Sequence, residues 1–257
     1  MYDIGTRERA VALVAQGRSL SSVSRETGIS RYAIRSWQTR IEPVERAGKP
    51  CPRFREEPGP PQDQPAYAYL LGLYLGDGCI SAHRRGVYFL RVVLDTAWPG
   101  IIEACEAAVR AVRPDNSVFR VRRQGCVAVS SASKHWPCLF PQHGPGKKHE
   151  RPIVLEPWQW AIVRDRPWEF VRGLVHSDGC RVTNWTTRTV AGERKRYEYP
   201  RYFFCNKSDD IRGLFTDALD LVGVEWTTLA RGGAPFTVSV ARRASVALMD
   251  LHVGPKS

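Results

Sequence analysis

Two aspartates, Asp77 and Asp178, occupy the same eight-residue pattern, G-L-x-x-x-D-G-C. Leu70 to Cys79 reads L-L-G-L-Y-L-G-D-G-C and Val171 to Cys180 reads V-R-G-L-V-H-S-D-G-C, so the two acids stand 178 − 77 = 101 positions apart. That interval is the size of a small domain. A carboxylate at the end of an apolar helix faces the negative end of the macrodipole, which is an unfavourable place unless a cation sits nearby. Two such acids point to a divalent metal ion held by carboxylate oxygen.

The elements that carry the acids read as helices. Tyr67, Leu70, Leu71, Tyr74 and Leu75 precede the first, and Trp168, Phe170, Val171, Leu174 and Val175 the second. Both sets follow the i, i+3, i+4, i+7 spacing of a buried helical stripe. Pro65 and Pro167 fit a first helical turn. Gly78 and Gly179 are expected just past the helix end, in the left-handed conformation. Gly72 and Gly173 lie inside the helices, where glycine costs about 1 kcal/mol relative to alanine. Close approach of two backbones would explain them, and helices crossing there would bring Asp77 and Asp178 to one end of a shared interface, related by a pseudo-twofold axis.

The doubled motif resembles that of the LAGLIDADG endonucleases, in the form that carries both motifs in one chain. The resemblance implies an α+β fold: two pseudo-symmetric αββαββα halves whose sheets form a DNA-binding saddle. It implies an enzyme, a Mg²⁺-dependent (or Mn²⁺-dependent) site-specific DNA endonuclease acting as a monomer, with Asp77 and Asp178 holding the metal. The sixth motif position departs, being Leu75 and His176 where the family name has Asp. The family also places a basic residue near each acid; Lys134 and Arg243, at matching places in the repeat V-S-S-A-S-K and V-S-V-A-R-R, are the expected pair. The alternative is a helix-turn-helix transcriptional regulator that keeps the scaffold without cutting.

Composition agrees with a polyanionic partner. The formal charge is +12 over 257 residues, and no apolar run is long enough to span a bilayer, so double-stranded DNA is favoured over a membrane. Seven scattered cysteines with no C-x-x-C pair suggest no disulfide framework, and with no leader at Met1 the expected place is a reducing cytoplasm, on the bacterial nucleoid. His135-Trp136-Pro137-Cys138 followed by His143 and His149 is too broken by proline and glycine for a closed zinc site, and no zinc is expected. Lys147 and Lys148 are expected on a loop over phosphates.

In chain order, residues 1–42 carry the spacing of a helix-turn-helix, whose second helix offers Arg31, Tyr32, Arg35 and Gln38 to DNA. Residues 43–65, crowded with proline, read as a linker. Half 1 covers 66–150, and the connection with half 2 covers 151–257. Within each half, the order helix, hairpin, helix, hairpin, helix is expected, with a long basic loop at Glu193 to Arg196. Strand alternation leaves one sheet face for DNA, and Arg91, Arg120, Arg122, Arg181, Thr183, Arg188 and Arg201 are the expected contacts.

Overall fold

The computed structural model describes residues 2–39, 41, 61–231 and 234–257. The chain divides into two compact units, Met1–Pro52 and Arg53–Ser257. The segment 43–60, most of the expected linker, and the expected turn at Gly232 and Gly233 lie outside the described residues.

The first unit holds three helices: α1 (Ile4–Ala15), α2 (Leu20–Thr27) and α3 (Arg31–Thr39). A side chain caps each of them, Asp3 accepting from the Thr6 amide at 2.8 Å, Ser19 from that of Ser22 at 3.2 Å and Ser30 from that of Ala33 at 3.2 Å. Gly28, at φ 69°, ends α2; only a residue tolerant of the left-handed region turns the chain there. Ala10, Val23, Ile29, Ile34 and Trp37 make a small core. Arg31, Arg35 and Gln38 are exposed on α3, away from Ile34 and Trp37, and Tyr32 lies on the same helix.

The second unit writes one topology twice. First come α4 (Gln64–Asp77), β1 (Gly78–Ala82), β2 (Tyr88–Asp95), α5 (Pro99–Val112), β3 (Val118–Arg123), β4 (Cys126–Ser133) and the single turn α6 (Trp136–Leu139). After α7 (Pro157–Asp165) come α8 (Pro167–Asp178), β5 (Gly179–Val190), β6 (Glu193–Cys205), α9 (Asp209–Leu221), β7 (Thr227–Arg231), β8 (Ala234–Val240) and α10 (Arg243–His252). Each half is αββαββα, and each sheet is antiparallel with the same order, β1-β2-β4-β3 and β5-β6-β8-β7.

Four details depart from the sequence reading. Helix α4 is buried at every residue from Tyr67 to Leu75 rather than along one stripe. It packs against α8, α5, α7 and the first sheet together, and a helix enclosed on all sides needs an apolar surface all round. Gly78 and Gly179 are extended, at φ −86° and −103°. Their glycine character serves space: a Cβ would lie 2.5 Å from the Tyr74 Cα and 2.7 Å from the Val175 Cα, because each strand folds straight back past its helix. The basic run Glu193 to Arg196 belongs to strand β6, since Ala191 (φ 52°) and Gly192 (φ 85°) make a two-residue turn and let β5 and β6 pair to their tips. Finally, the connection contains a helix. Glu156 and Gln159 form a reciprocal capping box at the start of α7, and the buried Gln159 amide donates to the Tyr67 hydroxyl at 2.7 Å, tying α7 to α4.

Candidate functional site

The site begins with a contact between two main chains. At the crossing of α4 and α8, a Cβ on Gly72 would meet the Phe170 carbonyl oxygen at 2.6 Å, and one on Gly173 would meet that of Tyr69 at 2.2 Å. Side chains are excluded, so the helices run in direct contact and their C-termini emerge together. Gly76 continues the contact: a Cβ there would fall 2.2 Å from the Ser177 hydroxyl and 3.0 Å from an Asp178 carboxylate oxygen. Asp77 and Asp178, the last residues of the two helices, are thereby brought to one half-buried place.

Their electrostatics follow from that placement. Burial, then the charge of Asp178, pushes the Asp77 carboxyl up to about 6. Burial also raises Asp178, opposed by a 2.6 Å hydrogen bond that Asn206 Nδ2 donates to it and by two lysines. Those lysines are Lys148 and Lys256. Lys148 Nζ donates to the carbonyls of Tyr74, Leu75 (3.1 Å) and Gly76 (3.0 Å), closing the C-terminus of α4. Lys256 Nζ donates to the Ser177 carbonyl at 2.9 Å, at the end of α8. Each cation thus answers the unfavourable dipole of its own half's helix and stands in the field of both acids. Burial drives Lys148 down to about 8 against the pull of the two carboxylates.

The expected basic pair, Lys134 and Arg243, is therefore corrected. Lys134 is exposed just beyond β4. Arg243 opens α10 and lines a separate cavity with Glu198, Tyr199 and Asp250. The strand echo that suggested them aligns the ends of β4 and β8, which lie one element short of the site. A different echo runs to the lysines that close the two helices: Gly144-Pro145 and Gly254-Pro255 each lead within three positions to the lysine concerned. Lys147, beside Lys148, is exposed and paired with Glu150 at 3.1 Å. At the sixth motif position, His176 accepts or donates a 2.9 Å bond with the Tyr69 hydroxyl, and burial followed by the charge of Arg172 pushes it down to about 4, so it is neutral.

Each acid opens to its own cavity. One of about 550 Å³ is lined by Asp178, Lys148, Asn206, Lys207, Cys79 and Cys205. The other, about 220 Å³, is lined by Asp77, Asp95, His176, Ser177 and Lys256. Among the described residues, no group of three or more His, Cys, Asp or Glu side chains gathers at one point. The donor set is two carboxylates at close quarters, both resisting ionisation, which suits a hard divalent ion that takes its remaining oxygens from phosphate and water.

Strand register decides which side chains share the open side of each sheet. In the first sheet, Leu90, Val92, Leu94, Val127 and Val129 are buried against the helices. Their register partners on β3 are Arg120, opposite Val129, and Arg122, opposite Val127. Opposed residues project to one side, so both arginines face the helix layer, and Arg120 pairs with Glu106 of α5 at 2.6 Å. In the second sheet, Arg181 opposes the buried Tyr202 and binds Asp250 of α10 at 2.7 Å, with Thr183 on the same side. These four expected DNA contacts are misplaced by one residue of strand phase, which inverts a side chain. Arg91, Arg188 and Arg201 do lie on the open side, with Arg123 and Lys195, which the sequence reading did not name. Two of the open-face arginines are stacked alike, Arg91 5.1 Å from the Phe89 ring and Arg201 5.0 Å from that of Tyr199. Cys79 opposes Arg91 in register and also lines the Asp178 cavity, so the open face runs down to the acids.

No protein-family model matches this chain, and no curated protein matches it. Its structure neighbours are LAGLIDADG proteins. Variants of the homing endonuclease I-DmoI align over 74% of this chain and 96% of theirs, at 13% identity and TM-score 0.49. The homing endonuclease I-WcaI bound to its DNA recognition sequence aligns over 75% of this chain and 82% of its own, at 10% identity and TM-score 0.45. The N-terminal LAGLIDADG domain of WhiA aligns over 74% and 83%, at 10% identity and TM-score 0.41. I-DmoI has been solved with DNA and with Mn or Ca.

Proposed function

We propose that this chain is a site-specific endonuclease of double-stranded DNA, of the LAGLIDADG type, working as a monomer with one acid for each strand. The observation that supports this most is the paired arrangement at the crossing: two carboxylates, each sharing its cavity with the lysine that closes the other half's helix, Asp178 with Lys148 and Asp77 with Lys256, beside two sheets whose open sides carry arginines. A phosphodiester passing an acid meets fixed negative charge to hold a divalent ion and fixed positive charge to receive the phosphate.

In this reading, Asp77 and Asp178 hold Mg²⁺ or Mn²⁺, which when bound supplies an activated water and charge stabilisation at phosphorus. The rest falls to the chain itself. Asn206 orients Asp178 through its 2.6 Å bond, leaving the other carboxylate oxygen free to turn inward. Lys148 and Lys256, anchored on helix carbonyls, present ammonium groups to the developing charge on the phosphate without having to reorganise. Arg91, Arg123, Arg188, Lys195 and Arg201 bind backbone and base edges along the two sheets, the phosphate contacts fixing register and the base contacts sequence. The three-helix unit adds a second DNA contact through Arg31, Tyr32, Arg35 and Gln38, raising affinity through effective concentration.

The test is selection of bound duplexes in Ca²⁺, followed by addition of Mg²⁺ and mapping of the ends. Cleavage at one position on each strand, lost in Asp77→Asn and Asp178→Asn while binding is kept, supports the nuclease. Specific binding without cleavage in Mg²⁺ or Mn²⁺ overturns it.

A further inference from the structure

The open sides of the two sheets differ in chemistry. On the first, β4 runs through the middle with small residues, Ala128, Ser130 and Ala132, at the positions facing outward. Register sets Val93 and Val121 on either side of Ala128, and Arg91 and Phe119 on either side of Ser130, with Phe89 beside Ala132. Ala128 and Ser130 are 2% and 1% exposed, whereas Val93, Val121 and Phe119 are 37%, 38% and 41% exposed. The result is a shallow trough with a small floor and apolar walls. Neighbouring strands lie about 4.8 Å apart, so its two walls stand about 10 Å apart at the backbone. Phe89 and Phe119 meet edge to face across it, with ring centroids at 6.3 Å.

This trough is rimmed by charge. Arg91 stacks on Phe89 inside it, and Arg123 follows Val121 two residues along the same strand on the same side. On the second sheet the corresponding edge strand and its neighbour put Thr227, Thr237 and Ser239 outward, with Leu229 between them. Asn184 and Thr186 project to that side from β5. Beside them β6 sets Phe203 opposite Ser239 and Cys205 opposite Thr237, so this face mixes hydroxyls and a thiol with Phe203 and Leu229 where the first sheet has its valine and phenylalanine walls.

An apolar trough between arginines, leading to two acids, suits one feature of a DNA major groove. The groove's only apolar group at a base edge is the methyl on C5 of a pyrimidine, whereas other edges offer hydrogen-bond donors and acceptors. Resting on the nuclease reading, we propose that the first half recognises its half-site through pyrimidine C5-methyl groups, seated over Ala128 between Val93 and Val121 and against the Phe89–Phe119 pair. A methyl-bearing pyrimidine is either thymine or 5-methylcytosine, and the trough engages the group that they share.

The experiment uses the full chain and the duplexes selected in Ca²⁺. Each thymine is replaced in turn by deoxyuridine, which removes the C5-methyl and nothing else, and cytosines of the same half-site are replaced by 5-methylcytosine. The expected result is a loss of about fourfold in affinity for each seated methyl, confined to one half-site. In Phe119→Ser with Val121→Thr, the ratio of thymine to deoxyuridine affinity at those positions falls to one. Both residues are exposed, and an unchanged melting temperature checks that the variant is folded. Where a half-site position selects cytosine, methylation at C5 strengthens binding only if that position meets the trough. Equal binding of thymine and deoxyuridine duplexes at every position overturns the inference and leaves the nuclease standing, as does discrimination that survives in the variant. Failure to bind any duplex overturns the nuclease reading itself.

Discussion

The replacement Asp77→Asn is expected to make the protein more stable and inactive at once. In the fold the Asp77 carboxyl titrates near 6, against 3.8 for a free side chain, because burial and the neighbouring Asp178 charge resist ionisation. The sign follows from proton uptake: between these values the folded chain holds a proton that the unfolded chain has released, so stability falls as pH rises from about 4 to about 6. Above pH 7 the full difference applies, on the order of 3 kcal/mol at 1.36 kcal/mol per tenfold. Asparagine keeps the shape without the charge. For a unit of this size the variant should melt higher by about 6 to 12 °C at pH 7.5 in EDTA, with the gain vanishing at pH 4. Differential scanning calorimetry across that range is the assay. Added Mg²⁺ should narrow the gap, since an ion bound to the native protein alone stabilises it by mass action. A variant that melts at or below the parent at pH 7.5 in EDTA, with its gain no larger than at pH 4, would refute the electrostatic account of the site.

Alanine at Gly72 or Gly173 should destabilise by about 2–3 kcal/mol in urea titrations despite alanine's better helix propensity, because the new Cβ meets main-chain atoms that have no room to yield. Lys148→Met should lower single-turnover cleavage about 100-fold or more while duplex affinity changes only a few-fold; equal losses in both would make the lysine a binding residue. Arg123→Ala should weaken binding and lower the slope of log affinity against log salt by about 1, whereas Arg120→Ala, which removes one of the two arginine partners of Glu106 on the helix side, should leave both unchanged.

The fold was legible where the sequence repeats itself. Two motifs in register, each followed by alternating strands and an amphipathic helix, define both halves and place both acids, because helical and strand periodicities are local properties. Strand phase was harder to read. In V-F-R-V-R-R of β3, either alternate set could face outward, and the choice of Arg120 and Arg122 over Arg123 fails because burial of Val127 and Val129 on the neighbouring strand sets the phase. Lys148 was expected over phosphates but not at the end of α4, and Lys256 was not singled out, for a related reason. Lys148 reaches carbonyls more than seventy positions away, a contact that no local pattern specifies, and the cue was a Gly-Pro pair that reads first as a turn. Helix α7 hid behind its Trp and Pro content, although Glu156 and Gln159 spell its capping box.

The contact of α4 with α8 through glycine has a consequence for how such a molecule can change. Where side chains separate two helices, every substitution at the seam alters the gap by fractions of an ångström. Here the gap is set by main chain on main chain, and main chain is common to all sequences. The separation of the two acids is therefore a fixed gauge, insulated from drift elsewhere in the core. The sheet faces can diverge in the residues they offer without moving one reaction centre relative to the other.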